Sequence, residues 1–365
     1  MSSRERRVRS RFWAWTASLR VPPPSTSLSD ADLERWRQRV TRFEAEVSQA
    51  VIGQARVLRL IAISILARGH VLLEGDVGVG KTTLLQAVAR AIGGAYGRIE
   101  GTIDLMPSDL IYHTYIDQDG RPRVDAGPVL RHGENLAVFF FNEINRARPQ
   151  VHSLLLRLMA ERGLSAFNRD YVFPYLQVFA DRNQVEREET FELPAAARDR
   201  FFMEIVVERP AESELRRDLV FNPRFHDVAR LVETVAPGVL DHRELGTVSE
   251  AIQQRVQASQ AIQQYVLDLW TAIREPQGAA VTLEGIDVER LVIGGASPRG
   301  ISYLVRAARV NAWLAEREIL VPEDIRSVFP EVMAHRVFVN PVYEGRRAQI
   351  MPALCRTVLE RVAAP

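Results

Sequence analysis

One glycine-rich stretch decides the fold of this chain: Gly75-Asp76-Val77-Gly78-Val79-Gly80-Lys81-Thr82. It fits the pattern G-x-x-x-x-G-K-[ST], with a short apolar run before it at residues 70–74 and a helical pattern after it from Lys81 to Ile92. Glycines let several backbone N–H groups converge on a phosphate without side-chain collision, and the helix adds the positive end of its dipole. The stretch therefore predicts a phosphate-binding loop between a strand and a helix.

The side chains of this loop indicate which ligands it takes. Lys81 is the only lysine among the 47 basic residues of the chain, and we expect its compact ammonium to reach the β- and γ-phosphates of a nucleotide. The hydroxyl of Thr82 is expected to ligate Mg²⁺. The predicted nucleotide-binding set is Asp76, Val77, Gly78, Val79, Gly80, Lys81, Thr82 and Thr83.

The pattern around the loop predicts an α/β fold. Further strands are expected at 137–141, 176–180 and 202–207, with helical sequence in several of the gaps. Such alternation is typical of a parallel sheet covered by helices on both faces. Turn signals at Asp119-Gly120 and Asn168-Arg169-Asp170 predict two hairpins that interrupt the alternation.

Composition along the chain predicts three segments. Residues 1–27 form an arginine-rich arm. It is either a terminus that is poorly ordered or packed on the body through its tryptophans, or a contact for nucleic acid, lipid headgroups or a protein; we favour the first. Residues 28–210 hold the sheet, and a helix capped at Ser29 or Asp30 is expected at its start. Beyond Pro210 strand signals become sparse, so residues 211–365 are expected to form a smaller helical domain.

Charge and cysteine content narrow the functional classes. The net charge of +1 gives no sign of a polyanionic partner, so nucleic-acid binding is disfavoured. The longest apolar run, Leu60–Ala67, is too short for a membrane span. The single cysteine, Cys355, is expected to pack in the core of a protein of the reducing cytoplasm.

A second candidate site residue follows an apolar strand pattern. Residues 137–141 lead into Asn142 and Glu143. In P-loop ATPases a strand of this kind is expected beside the loop strand, ending in an aspartate that holds Mg²⁺ and a glutamate that polarises the attacking water. Glu143 is therefore the candidate base, and Thr82, Asn142 and Glu143 are the candidate Mg²⁺ ligands. Because Asn142 brings no negative charge, weak Mg²⁺ affinity and slow turnover are also expected.

These motifs together resemble the MoxR family of AAA+ ATPases. The similar segments are Val51-Ile52-Gly53-Gln54, residues 69–75, Asn142-Glu143-Ile144-Asn145-Arg146-Ala147, Leu193-Pro194, Asp199-Arg200-Phe201, Gly295-Ala296-Ser297-Pro298-Arg299 and His335-Arg336. The family pattern has Asp where this chain has Asn142, and Gln-Asn-Pro where it has Arg182-Asn183-Gln184. The resemblance implies an AAA+ core with a parallel sheet and a helical lid.

The resemblance also implies roles for individual residues. Asn183 is similar to the sensor that hydrogen-bonds the attacking water or the γ-phosphate, and Arg200 to the arginine finger presented to a neighbouring subunit, with Arg198 a weaker candidate. Arg299 is similar to the second sensor, which reaches the nucleotide from the lid. Val51, Ile52 and Gly53 would line the adenine pocket, and the hairpins would face a central pore or a partner.

Two functions remain open at this point. The first is a cytoplasmic, Mg²⁺-dependent ATPase in a ring of six, which remodels or matures a partner such as a von Willebrand factor A domain protein, as the resemblance implies. The second is a nucleotide-gated assembly or scaffold subunit whose hydrolysis is vestigial because Asn142 replaces the usual aspartate. A nucleic-acid motor is disfavoured by the net charge.

Overall fold

A five-stranded parallel sheet carries the glycine-rich loop in a computed structural model that describes residues 28–183 and 191–365. The predicted arm at 1–27 lies outside the described residues. The strands are β1 (Val71–Glu74), β2 (Ala95–Glu100), β3 (Tyr112–Ile116), β4 (Pro122–Ala126), β5 (Leu136–Asn142), β6 (Gly163–Ala166), β7 (Arg169–Val172), β8 (Gln177–Arg182), β9 (Met203–Val206), β10 (Val292–Gly294) and β11 (Phe338–Val339).

Helices cover the sheet and follow it along the chain. They are α1 (Asp30–Ser48), α2 (Ala55–Leu66), α3 (Lys81–Ile92), α4 (Pro107–Ile111), α5 (Pro149–Glu161), α6 (Ala195–Arg198), α7 (Ser213–Phe221), α8 (Val228–Glu233), α9 (Leu245–Arg255), α10 (Gln260–Arg274), α11 (Pro298–Leu314), α12 (Pro322–Arg326), α13 (Phe329–Met333), α14 (Pro341–Glu344) and α15 (Arg347–Arg361). Within the described ranges, none combines the length and apolar content that crossing a membrane requires.

The strand order in the main sheet is β2-β5-β8-β1-β9. The expectation that the strand ending at Asn142 lies beside the loop strand is therefore wrong, because β8 lies between β5 and β1. Strand β2 was not predicted, because its Ala95–Glu100 sequence has no clear apolar run. The order places the ends of β8 and β5 successively farther from the loop.

Both faces of the sheet are buried, as the apolar strands predict. Along β5, Val138 and Phe140 join a core cluster that includes α1, α2 and α3, while Phe139 and Phe141 join a second cluster that includes α5. Successive side chains of a strand point to opposite faces, so residues 138–141 of β5 alternate between the two clusters. This alternation also determines which polar side chains at the strand ends share a face.

Helix α1 follows the predicted pattern. Ser29 caps it: its hydroxyl accepts the Asp32 N–H at 3.2 Å, and the Asp32 carboxylate accepts the Ser29 N–H at 3.0 Å. The five apolar residues at helical spacing are all buried, namely Leu33, Trp36, Val40, Phe43 and Val47. The helix therefore lies on the sheet domain through one continuous apolar face.

The two predicted hairpins are present, with one turn displaced. The pair β3–β4 turns at Asp119-Gly120, and Gly120 has a φ of 76°. The second hairpin, β6–β7, turns at Phe167 and Asn168 rather than at 168–170, because both residues adopt left-handed backbone, with φ of 52° and 57°. The hairpins contact each other through the rings of Tyr112 and Phe167, whose centroids are 5.3 Å apart.

A buried histidine joins three elements below the loop strand. The Nε2–H of His70 donates to the Met159 carbonyl at 3.1 Å, and Nδ1 accepts the Val178 N–H at 2.9 Å. These two bonds select the neutral ring with the proton on Nε2. Burial, with the nearby Arg162, lowers the pKa of His70 to about 3. The ring thus ties the start of β1 to α5 and β8 as an uncharged group.

Part of the chain after β9 packs against the sheet domain. Gly238 and Leu240 donate backbone N–H groups to Arg90 and Ala91 at the end of α3, so this segment docks on the first half of the chain. The later helices form the helical lid, within which β10 and β11 make a short antiparallel pair. The division at residue 210 stays a prediction.

Candidate nucleotide-binding site

The glycine-rich loop joins β1 directly to α3. Gly78 and Gly80 have φ of 79° and 87°, in the left-handed region that side chains with a Cβ rarely adopt. Among the described residues, no atom lies within 4 Å of a Cβ built on either glycine, so the backbone conformation and not crowding by these residues requires glycine. Glycine at these two positions lets the loop backbone take the conformation that a close approach to a ligand requires.

Lys81 is the first residue of α3, and its side chain is buried under the loop. Its ammonium donates to the carbonyls of Gly75 at 2.6 Å and Asp76 at 3.0 Å, and to Asn183 Oδ1 at 2.7 Å. The lysine therefore holds the loop to the end of β8. Oxygens of a bound triphosphate can replace these neutral acceptors as hydrogen-bond partners of the ammonium.

An aspartate that the sequence analysis did not single out completes this cluster. Asp181 lies in β8 and is 2% exposed; its Oδ2 is 3.9 Å from Lys81 Nζ, and its Oδ1 accepts the Glu143 N–H at 2.6 Å. Burial raises the pKa of Asp181 to about 6, although the Glu143 N–H and the charge of Lys81 both favour its carboxylate form. The available signal was a carboxylate directly after the predicted strand 176–180.

Asn142 and Glu143 lie at the end of β5. Asn142 is buried, and Glu143 has a left-handed backbone with a φ of 52° that starts the short turn Ile144–Arg146. The Glu143 carboxylate accepts a hydrogen bond from Arg146 at 3.0 Å, a partner that sequence analysis did not identify. The N–H of Glu143 is fixed by Asp181, so β5 and β8 hold this turn together.

The donor set fits a cation that arrives with a nucleotide. Thr82 and Thr83 follow Lys81 in the first turn of α3 and are half-buried beside the loop. Among residues 28–183 and 191–365, no group of three or more His, Cys, Asp and Glu side chains could hold a metal ion. Mg²⁺ is usually held by one or two protein groups together with substrate phosphates, and this arrangement suits that mode.

A cavity of about 660 Å³ lies between the sheet and the lid. Its lining includes Gly53 and Gln54 before α2, Glu74 at the end of β1, and Ala348 and Met351 of α15. Gly53 has a φ of 74°, and a Cβ there would come within 2.9 Å of the Pro210 side chain. Of the three residues predicted for an adenine pocket, Gly53 lines the cavity, while Val51 and Ile52 are not among its lining residues.

Two predicted arginines lie at the opposite edge of the sheet, where the parallel strands begin. The Phe202 N–H donates to the His70 carbonyl at 2.6 Å, so the segment with Arg200 meets the amino-terminal end of β1. Arg299 forms an ion pair with Asp199 at 3.1 Å in the same segment. The length of β1, about 13 Å, separates this edge from the loop. The structure thus brings Lys81, Asn183 and Glu143 to one edge and Arg200 and Arg299 to the opposite one.

Arg198, the weaker finger candidate, points into the protein. Its guanidinium lies 5.0 Å from the centroid of the Phe338 ring. Burial, with the nearby charges of Arg347 and Arg182, lowers the pKa of Arg198. Its contacts therefore favour a packing role between α6 and the lid.

The fold and the loop together define a class of protein. A parallel sheet with strand order β2-β5-β8-β1-β9, a phosphate loop after β1 and a helical lid are the features of an AAA+ ATPase. Residues 70–203 match the profile of the ATPase family associated with various cellular activities (AAA), and residues 286–353 match the AAA lid domain.

The relatives identify the family within this class. Protein MoxR of Methylorubrum extorquens is 67% identical over 92% of this chain and 98% of its own length. Chaperone MoxR1 of Mycobacterium tuberculosis is 33% identical over 88% of this chain and 81% of its own. A solved protein of Cytophaga hutchinsonii, provisionally described as an ATPase, has 28% identity and a TM-score of 0.74 over 91% of this chain and 97% of its own. The chain belongs to the MoxR family of AAA+ ATPases.

Proposed function

We propose that the chain is a Mg²⁺-dependent ATPase that works in a ring and uses the state of its nucleotide to remodel or mature a partner protein. The observation that supports this most is the buried cluster of Lys81, Asn183 and Asp181 beneath the glycine-rich loop. A lysine ammonium held by carbonyl and amide oxygens is ready to exchange them for phosphate oxygens.

The residues at this edge of the sheet would have separate roles in nucleotide binding and hydrolysis. Lys81 and the loop N–H groups would bind the phosphates, and Thr82 would ligate Mg²⁺ with Thr83 beside it. Asn183 would hydrogen-bond the γ-phosphate or the attacking water once Lys81 releases it. Glu143 would accept the proton of that water. Bound Mg²⁺ would neutralise charge that develops on the phosphates.

The cavity between sheet and lid suits the adenosine part of the nucleotide. Its volume of about 660 Å³ lies in the range of small-molecule sites, and it adjoins Glu74, directly before the loop. Gly53 allows the backbone there to approach Pro210 closely. The cavity also adjoins α13 and α15, so nucleotide binding would link the sheet domain to the lid.

The opposite edge supports assembly in a ring. Arg200 and Arg299 are separated from the loop of their own chain by the length of β1, so any contact they make with a nucleotide would be with that of a neighbour. An arginine donated in this way supplies charge that one subunit lacks and makes hydrolysis depend on assembly. Six subunits and a client with a von Willebrand factor A domain are proposed from the family resemblance.

A named relative and an exposed apolar surface support action on a protein client. The relative from Mycobacterium tuberculosis is named a chaperone, which supports action on a protein client. Exposed apolar side chains on the first hairpin, including Tyr115, Ile116 and Val124, would offer that client a contact surface. A cytoplasmic location is proposed because the single cysteine can form no intramolecular disulfide, which suits a reducing compartment.

One observation favours the alternative of a scaffold with vestigial hydrolysis. Asn142 brings no charge to the end of β5, and Glu143 is paired with Arg146. That alternative expects ATP to drive assembly while phosphate release stays at background. It also expects Asn142→Asp to raise the rate.

Paired variants test the nucleotide site. Lys81→Ala is expected to abolish binding of a fluorescent ATP analogue, whereas Glu143→Gln keeps binding and stops phosphate release. Sizing with and without ATP on the same samples reports assembly. Phosphate release retained by both variants would contradict the site assignment, and binding without turnover in the wild type would favour the scaffold.

Mixing variants tests the ring. Lys81→Ala lacks a nucleotide but presents Arg200, and Arg200→Ala binds nucleotide but lacks the finger. An equimolar mixture is therefore expected to recover part of the phosphate release that each lacks alone. Lys81→Ala mixed with Glu143→Gln is the matched control, since no interface in that mixture is complete. No recovery in the first mixture would argue against a finger from the neighbour.

A further inference from the structure

The aspartate of β8 lies nearer the loop than position 142 does. Asp181 pairs in register with Leu73 of β1, two residues before Gly75, while β5 joins the far side of β8. Neighbouring strands are about 5 Å apart, so Asp181 is one strand spacing from β1 and Asn142 is two. A carboxylate on β8 is therefore closer to bound phosphates than one on β5.

Asn142 and Asp181 also share a face of the sheet. Phe141 pairs with Ala180, so these two residues occupy the next register step. Phe140 and Phe179, one step before, belong to the core cluster that includes α3. Side chains at alternate positions share a face, so Asn142 and Asp181 both face the helix that begins with Lys81.

The other carboxylates of this edge have different partners. Glu74 and Glu204 both accept hydrogen bonds from Arg182, whose side chain is on the other side of β8 from Asp181. Glu143 is paired with Arg146. Asp181 differs because the cation that faces it is Lys81, the group that nucleotide binding is expected to draw away.

We propose that the Asp181 carboxylate holds the divalent cation that accompanies the nucleotide, supplying from β8 the negative charge that Asn142 lacks on β5. This inference rests on the proposed nucleotide binding. When Lys81 turns to the phosphates, Asp181 would keep a buried charge without its partner, which is unfavourable. A cation beside Thr82 compensates that charge, and the Asn142 amide can orient a water on it.

The experiment measures cation affinity separately from activity. Purified full-length chain is saturated with ADP, and Mn²⁺ is titrated while free Mn²⁺ is followed by electron paramagnetic resonance. ADP binding in excess EDTA is measured in parallel. Asp181→Asn keeps an oxygen to accept the Glu143 N–H, so it removes the charge and preserves the turn. The matched control is Glu100→Gln, which removes an exposed carboxylate in register with Asn142 at the same edge.

Asp181→Asn is expected to weaken Mn²⁺ binding to the ADP complex about tenfold or more, while ADP binding in EDTA stays equal or becomes tighter because a negative charge is gone. Glu100→Gln changes neither. In Asp181→Asn, adding Asn142→Asp is expected to restore part of the Mn²⁺ affinity. Unchanged Mn²⁺ affinity in Asp181→Asn, or an equal loss of ADP binding in EDTA, would overturn the cation role alone. Wild-type protein that binds no nucleotide would overturn the proposed function and this role with it.

Discussion

Replacing His70 by glutamine should remove part of the acid sensitivity of this protein. In the unfolded chain the pKa of a histidine is near 6.5, whereas burial lowers the pKa of His70 in the folded protein to about 3. Between these values the unfolded state binds one proton more than the folded state. Stability from this group is therefore fully present above pH 6.5 and is lost as the pH falls toward 3, by about 1.4 kcal/mol per pH unit.

The size of the stability loss follows from the difference between the pKa of His70 in the unfolded chain and in the folded protein. At pH 5.0 the protein is about 1.5 pH units below the pKa of the unfolded histidine. Lowering the pH from 7.5 to 5.0 therefore reduces the free energy of unfolding by about 2 kcal/mol through His70 alone. Glutamine has a donor for the Met159 carbonyl and an acceptor for the Val178 N–H but does not titrate. Imperfect geometry should lower its stability at pH 7.5 by about 1 kcal/mol.

Urea unfolding at pH 7.5 and pH 5.0, followed by tryptophan fluorescence, measures both effects. The wild type is expected to lose about 2 kcal/mol more than His70→Gln over this range. The buried His335 contributes in the same direction in both proteins and cancels in the comparison. His113→Gln, a change at an exposed histidine of the first hairpin, is the control and should behave as the wild type. Equal losses for the wild type and His70→Gln would refute the reasoning.

Two further predictions concern stability and thiol chemistry. Ser29→Ala removes the cap of α1 and should cost about 1 kcal/mol in urea unfolding, whereas Ser48→Ala at the other end of the helix should cost little; equal effects would contradict the capping role. Cys355 is buried, and burial, with the charge of Glu331, raises the pKa of its thiol to about 12. It should therefore stay unreactive toward a thiol reagent at pH 8 until urea unfolds the chain, and rapid labelling of the native protein would contradict this.

Much of the fold followed from local patterns. Helix α3 was predicted from Lys81 to Ile92, the limits it has in the structure, because the loop glycines mark its start and Gly93 its end. Helix α1 was predicted from its cap and its apolar spacing. Strand β2 was missed because Ala95–Glu100 is the outermost strand of the sheet, is only partly buried and carries no continuous apolar signal.

What sequence could not supply was the order of the strands. Asp181 and Asn142 are 39 positions apart in the chain, and only the insertion of β8 between β1 and β5 makes them neighbours beside Lys81. For the same reason Glu143 and Asn183 could be named as separate candidates, but their common attachment to Asp181 and Lys81 could not be foreseen. The pairing of Arg299 with Asp199 likewise depends on how the lid docks.

That docking couples two parts of the molecule. Asp199 accepts hydrogen bonds from the Ser297 hydroxyl at 3.0 Å and from Arg299, and both belong to the start of α11 in the lid. The next residue along the chain is Arg200. A tilt of the lid as its own subunit gains or releases ligand would therefore pull on this arginine, which we propose is offered to an adjacent protomer. In a closed assembly such a linkage would let each protomer respond to the nucleotide state of its neighbour, so that hydrolysis would proceed sequentially around the circle.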